Sequence, residues 1–349
     1  LPDHLFWGIK RFRVNRKYLS CDFKEQLSVL IRILMSLIVA FASAGYAVAE
    51  TPRIRAAVLK IGTVNWELDT IKRNGFDTAN GFTLIVQPYA DNGATRVALE
   101  GGEADVAVAD WIWVARQRAA GKDYTFIPYS KAVGGLMVPA DSPAQSLRDM
   151  AGQTIGIAGG PLDKSWLILQ AYALQEYDMQ LAARTEQVYG APPLIFKTAL
   201  QGQLGGAINF WHFLAKMKAA GMRELVSVAD ASKALGLIPD TPLLGYVMKE
   251  RFILENPDIA QKLYNASRAA KALLASDDAA WEPLRQQMNA TTDTQYETLI
   301  ADFRAGIPNA GAIDEAGADR LLQLMAELGG EKLVGKATTL PAGLFATIE

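Results

Sequence analysis

The 349 residues suffice for two or three domains of about 100–200 residues, and a composition that is half apolar and 21% charged excludes disorder and a polytopic membrane protein. Lys plus Arg (35) nearly balances Asp plus Glu (37), but seven bases and three acids lie in residues 1–49; residues 50–349 are left at −6, which disfavours a nucleic-acid partner. Cys21 is the only cysteine and His212 the only histidine beyond residue 49, so disulfide scaffolds, thiolate or multi-histidine metal sites and cysteine nucleophiles are excluded there, and no cofactor is expected.

Residues 33–49, ILMSLIVAFASAGYAVA, carry no charge and follow Arg32 directly. They end in Ala47-Val48-Ala49, a small-x-small cleavage pattern, so a secretory signal cut near Ala49 is expected. The same run just reaches the length of a membrane anchor, the competing reading. No cysteine follows it, which excludes a lipoprotein anchor. The start is expected near Val29, Leu30 or Met35, and the mature chain outside the cytoplasm, in the periplasm.

Residues 53–61 predict a first strand, 67–74 a helix, 82–89 a second strand, 94–100 a short helix and 104–110 a buried parallel strand. Residues 126–129 and 135–138 lie next to Pro139 and Pro143, where a crossing between lobes is expected. The pattern then restarts. Residues 146–151 predict a helix, 154–158 a strand, and Gly159-Gly160-Pro161 a tight turn before a helix from Asp163 to about Tyr177. A strand over 185–189, a helix over 193–201 and a strand over 207–210 follow. Pro239 and Pro242 mark a second crossing, and after a last strand, 243–248, the tail is helical over 258–275, 279–288, 294–303 and 314–328. Strands alternating with helices at this spacing indicate βαβ units. Two such units with two crossings describe a two-lobed α/β hinge protein, lobe 1 over residues 50–138 and 243–349, lobe 2 over 139–242, with a helical tail free to pack on the first.

Three stretches carry a resemblance: VALEGGEADVAVAD (97–110), SLRDMAGQTIGIAGG (146–160) and TALQGQLGGAIN (198–209). In this order they are similar to motifs of the substrate-binding proteins of ABC importers in the nitrate/sulfonate/taurine and thiamine-precursor group, which residues 53–275 resemble. Gly206 departs from the pattern, standing where the second-lobe motif usually has an acid. The resemblance implies a type II periplasmic-binding-protein (Venus flytrap) fold with mainly parallel sheets. It also implies a monomer that captures a small solute and delivers it to an importer permease and its ATPase.

In open α/β sheets ligands sit beyond the carboxyl ends of the strands. The candidate ligand residues are therefore Thr63, Asn65 and Trp66; Asp110 and Trp111; Gly159, Gly160, Asp163, Ser165 and Trp166; and Asn209, Trp211 and His212. Trp66, Trp111, Trp166 and Trp211 can clamp a flat ligand or hold a cation, or can simply be core. Ser165 and the backbone after Gly159-Gly160, with Lys164 beside them, offer an anion site at a helix N-terminus; Asp163 opposes an anion or caps the helix. Asp110 can accept from a ligand N–H, pair with a cation or cap the next helix. His212 reads as a hydrogen-bonding residue rather than a base. Indole faces, one or two carboxylates and few bases favour a flat heterocyclic or amine-bearing ligand. The competing readings are an exported small-molecule enzyme using His212 with Asp110 or Asp163, a hard-metal binder using Glu67, Asp69, Asp91 and Asp110, and a periplasmic sensory protein.

Overall fold

The computed structural model describes Ser28, Val29, Arg32 and residues 51–237, 241–311 and 313–348. The expected leader over 33–49 and Pro239 of the second crossing lie outside the described residues. Thr51–Glu349 forms a compact unit of its own. Among the described residues no helix is long and apolar enough to cross a membrane.

The strands are β1 (Arg53–Leu59), β2 (Thr83–Tyr89), β3 (Val106–Asp110), β4 (Tyr124–Ser130), β5 (Gly135–Val138), β6 (Thr154–Ala158), β7 (Glu186–Gly190), β8 (Gly206–Ile208), β9 (Arg223–Ser227) and β10 (Leu244–Lys249). They build two five-stranded sheets, ordered β2-β1-β3-β10-β4 and β7-β6-β8-β5-β9. β1 pairs in parallel with β2 and β3, and β6 with β7 and β8, each through the helical crossover that parallel pairing requires. β10 runs antiparallel between β3 and β4, and β5 antiparallel between β8 and β9. Both antiparallel strands are the ones by which the chain enters a sheet from the other lobe. Four of the five strands in each sheet run the same way around one reversed strand, and the result is a mixed, two-lobed α/β fold.

The first crossing lies upstream of its expected place. Gly135–Val138, read as the end of lobe 1, is already paired in the second sheet, so the chain passes over in residues 131–134. Pro139 instead closes β5 and accepts from the Ser142 N–H in a turn. A proline that ends a strand and one that marks a crossing leave the same trace in a sequence.

The longer helices are α1 (Val64–Arg73), α2 (Asn92–Gly101), α3 (Trp111–Ala119), α4 (Lys164–Tyr177), α5 (Pro192–Leu200), α6 (Trp211–Ala219), α7 (Ile259–Ser276), α8 (Asp293–Ala305) and α9 (Glu315–Val334). The segment between α2 and β3 shows why its motif has its spacing. Gly102 takes the left-handed C-cap, φ 82°, and Asp105 accepts from the Arg55 backbone N–H while pairing with both Nε and Nη2 of the same guanidinium. The acid thus locks the entry of β3 to β1.

The tail spans both lobes rather than packing on the first alone. α8 lies along α6, and Trp66 from α1, Trp211 from α6, Trp281 and Phe303 form one aromatic cluster. Its ring centroids are 5.8 Å (Trp66–Trp211), 6.1 Å (Trp66–Trp281) and 5.0 Å (Trp281–Phe303) apart, all edge-on. On another side α9 contacts α3 and α4 and shares a core with Trp111 and Trp166.

Candidate functional site

A cavity of about 310 Å³ opens between the carboxyl ends of the two sheets, and the crossing residues Ala132, Val133 and Gly134 form part of its wall. The first sheet contributes the ends of β1, β3 and β4, with Asp110 and Tyr129, and α2 adds Asn92, Thr95 and Arg96. The second contributes Asp163, Lys164 and Ser165 after β6 and Asn209, Phe210, Trp211 and His212 after β8. A second cavity of similar volume, lined by Lys131, Lys218, Glu224 and Asp302, lies beside the same crossing. There Lys218 already pairs with Asp302 at 3.2 Å and lies 3.8 Å from Glu224.

Several helices start at the first cavity, because each βα unit ends its strand there. Asp110 caps α3 by accepting from the Trp113 N–H at 2.8 Å, and Asp163 caps α4 through the Trp166 N–H at 3.0 Å. Neither α1, which follows Thr63, nor α6, which follows Phe210, has a side-chain cap. At α1 the Asn65 and Trp66 N–H groups are instead spent on the Gly62 and Thr63 carbonyls, so it is the partial positive end of α6 that faces the cleft.

Charge converges on Asp110. Its Oδ2 lies 3.2 Å from Lys164 Nζ and 3.9 Å from Arg96 Nη2. Burial pushes this carboxyl up, but Lys164, the Trp113 N–H and Arg96 together outweigh it and hold it below the usual carboxylate value. Arg96 spreads over the Trp113 ring, 4.7 Å from its centroid, and its pKa falls because burial exceeds the pull of Asp110. Its buried Nε has no hydrogen-bond partner among the described residues. Burial raises the Asp163 carboxyl despite its backbone hydrogen bonds. His212 is pushed down to about 3 by burial and then by Lys216, so its imidazole is neutral, amid the rings of Phe210, Trp211 and Phe213.

Of the residues expected at the site, Thr63, Asp110, Asp163, Ser165, Asn209, Trp211 and His212 line this cavity. Trp66, Trp111 and Trp166 do not: each is at most 4% exposed and packed in core, so Trp211 alone of the four faces the cleft, one short of the two that a clamp needs. Their helices begin at the cleft, but the indoles turn back beneath it. Asn65 is likewise structural, its amide donating to the carbonyls of Leu59 and Gly62 at 2.8 Å each. The Gly159 N–H is spent on the Gly190 carbonyl, and Gly159 and Gly160, with φ 101° and 147°, supply the turn that brings Asp163 to its cap. Asn209 holds the Pro192 carbonyl and accepts from the Phe210 N–H. Arg96 was missed. It sits mid-helix, and only its place one turn into α2, facing the end of β3, could have signalled it.

The carboxylates of the metal reading are dispersed. Glu67 is buried against Lys271 and Tyr246, Asp69 pairs with Arg73, and Asp91 caps α2. Among the described residues no three His, Cys, Asp or Glu side chains gather into a metal site.

Solved structures share this architecture. The alkanesulfonate-binding protein SsuA of Xanthomonas axonopodis pv. citri, bound to MOPS, is 18% identical with a TM-score of 0.64, over 86% of this chain and 100% of that one. The periplasmic aliphatic sulphonate binding protein SsuA of Escherichia coli is 16% identical with a TM-score of 0.65, over 83% and 97%. The desulfurization enzyme DSZB is 15% identical with a TM-score of 0.53, over 84% and 97%. At such identities the likeness is one of fold, and it includes an enzyme as well as receptors. A comparison with curated protein sequences gives no match. The NMT1/THI5-like family model, however, matches residues 71–280, more than half of the chain, and takes in every strand but β1 and the cleft residues from Asn92 to Leu244. The chain belongs to that family.

Proposed function

We propose that the protein is an exported, periplasmic solute receptor, which binds a small acid-bearing organic solute between its two lobes and hands it to the permease and ATPase of an ABC importer. The observation that carries this reading is the meeting of Arg96 from the first lobe and Lys164 from the second in one cavity. There, among the described residues, Arg96 Nε makes no hydrogen bond, and the N-terminus of α6 lacks a side-chain cap. An acid group placed there would touch both lobes at once, which is how a ligand favours the closed state of a hinge protein. The SsuA proteins named above support the same role.

The ligand differs from the one the tryptophans suggested. With Trp66, Trp111 and Trp166 in the core, the argument for a flat ring loses its basis, whereas Asp110 still favours a donor such as an amine. A non-catalytic role is favoured because burial, by pushing His212 down to about 3, leaves it a weak base, far from the near-neutral value that general acid–base work needs. The expected state is a monomer.

The test is a thermal-shift and calorimetric screen of the purified protein against small sulfonates, carboxylates, amino acids and pyrimidines. A true ligand at 100 times its dissociation constant stabilises the fold by about 2.7 kcal/mol. A screen in which only metal ions or no solutes shift the transition would retire the reading.

A further inference from the structure

The cleft holds an acid of its own at the place where its cations meet. Asp110 ends β3 in the first sheet, and Lys164 opens α4 beside the second. The ion pair between them, 3.2 Å long, bridges the cavity from lobe to lobe. The same Oδ2 that faces Lys164 also faces Arg96 at 3.9 Å, while Oδ1 is occupied by the Trp113 N–H. With only 10% of its side chain exposed, Asp110 is shielded from water that could weaken these attractions.

We propose that Asp110 is the specificity-determining residue of the cleft, a tethered counter-ion that an incoming acid must displace from Lys164 and Arg96. This deepens the receptor reading and rests on it. A bare monoanion that takes the two cations leaves the Asp110 carboxylate buried, unpaired and close to a like charge, so it is rejected. A solute carrying both an acid and a hydrogen-bond donor, such as an ammonium or amide N–H, satisfies the cations and Asp110 together. The site therefore selects for the donor as strongly as for the acid.

Asp110→Asn isolates the charge, since asparagine caps a helix as well as aspartate does; Asp110→Ser is a second neutral cap in case the first perturbs folding. The probes are ethanesulfonate and 2-aminoethanesulfonate, which differ only in the amine. The native protein is expected to bind the amine-bearing probe at least about tenfold more tightly than ethanesulfonate. In both neutral-cap variants ethanesulfonate should gain at least about tenfold and the preference should vanish, and adding Lys164→Met should erase the gain. Ethanesulfonate binding that is unchanged, weaker or undetectable in both variants overturns the proposal. If no solute of the broader panel binds the native protein but both variants take up ethanesulfonate, the receptor reading fails and the role of Asp110 stands.

Discussion

Lys164 Nζ and Asp110 Oδ2, 3.2 Å apart, join the first turn of α4 to the last residue of β3 across the cleft. The contact assigns opposite parts to neighbouring cations. Lys164 is a point charge on a flexible stem, whereas Arg96 is held by its stack on Trp113 and carries a planar fork of N–H donors, Nη2 on the side of Asp110. Arg96→Lys keeps the charge but loses the fork. It should weaken an acid-bearing ligand by about 1.5–3 kcal/mol, the usual worth of a hydrogen bond to a charged group, as read by calorimetry. Equal affinity in Arg96→Lys would place the acid elsewhere in the cavity.

The aromatic cluster makes a contrary prediction for its tryptophans. Trp66 and Trp281 are 4% and 0% exposed, and the Trp281 indole N–H donates to the Leu274 carbonyl at 2.8 Å. Trp281→Ala should destabilise the fold by about 3–5 kcal/mol in denaturant unfolding. The milder Trp66→Phe should lower the melting temperature while leaving ligand affinity within about twofold, since it does not line the cavity and a phenyl ring still backs Trp211. A large loss of affinity in a folded Trp66→Phe protein would restore the clamp.

The same residues show what the sequence could and could not convey. The βα alternation put Asp110, Asp163, Ser165, Asn209 and His212 at one place, and they do line one cavity, because strand ends in a parallel sheet share one edge. It could not say which way a side chain just past a strand turns. Trp111 and Trp166 each follow the capping residue of a helix closely, within three positions, and at that spacing the helix carries them into the core. Arg96 escaped notice for the complementary reason: it lies within a polar helix, and its role depends on a neighbour fourteen residues away, Asp110. The helices α3 and Val228–Ala234 and the strand β9 were also unread. β9 is an edge strand with little apolar alternation, its burial running from half-buried to exposed.

Beneath the cleft floor Glu67 and Lys271 form a buried pair. Tyr246 donates to Glu67 at 2.7 Å, Lys271 donates to Ser267 Oγ at 2.7 Å, and the Lys271 ammonium lies 4.6 Å from the Tyr129 ring centroid. Burial lowers the Lys271 pKa even though Glu67 opposes the shift. Lys271→Met leaves a carboxylate stranded and should cost about 3–5 kcal/mol of stability. The double variant Glu67→Leu, Lys271→Met should recover much of that loss. Strict additivity of the two single losses in urea unfolding would show that the pair is not coupled.

His212 gives the protein a pH signature. Its folded value of about 3 lies below the ordinary 6.5, so between these values the unfolded chain binds a proton that the folded chain does not. Stability should therefore fall as the pH drops below about 6.5, with a limiting slope of about 1.4 kcal/mol per pH unit from this one group. Asp163, held above its ordinary value, works in the opposite direction at the acid end, since the folded chain protonates it first. Urea unfolding at pH 7 and 5.5 checks this. His212→Gln should lose most of the difference, and an undiminished slope in that variant would assign it to other groups.

Gly134 offers a geometric test of the hinge. It is the last residue of the first crossing, its carbonyl accepts from the Val228 N–H, and it lines the cavity. A Cβ built there would lie 2.9 Å from the Asn209 carbonyl oxygen and 3.2 Å from Ser165 Oγ. The serine can rotate away, but the Asn209 carbonyl is backbone at the end of β8, tied down on both sides by the Asn209 side chain, which holds Pro192 and the Phe210 N–H. The strain in Gly134→Ala is expected to part the crossing from the second sheet and so move Lys164 and Ser165 relative to Arg96 and Asp110. Ligand affinity should fall at least about tenfold, while secondary structure by circular dichroism is kept. A Gly134→Ala protein that binds as the native one does would mean that the crossing yields without disturbing the cleft, and that residues 131–134 do not set the spacing of the two lobes.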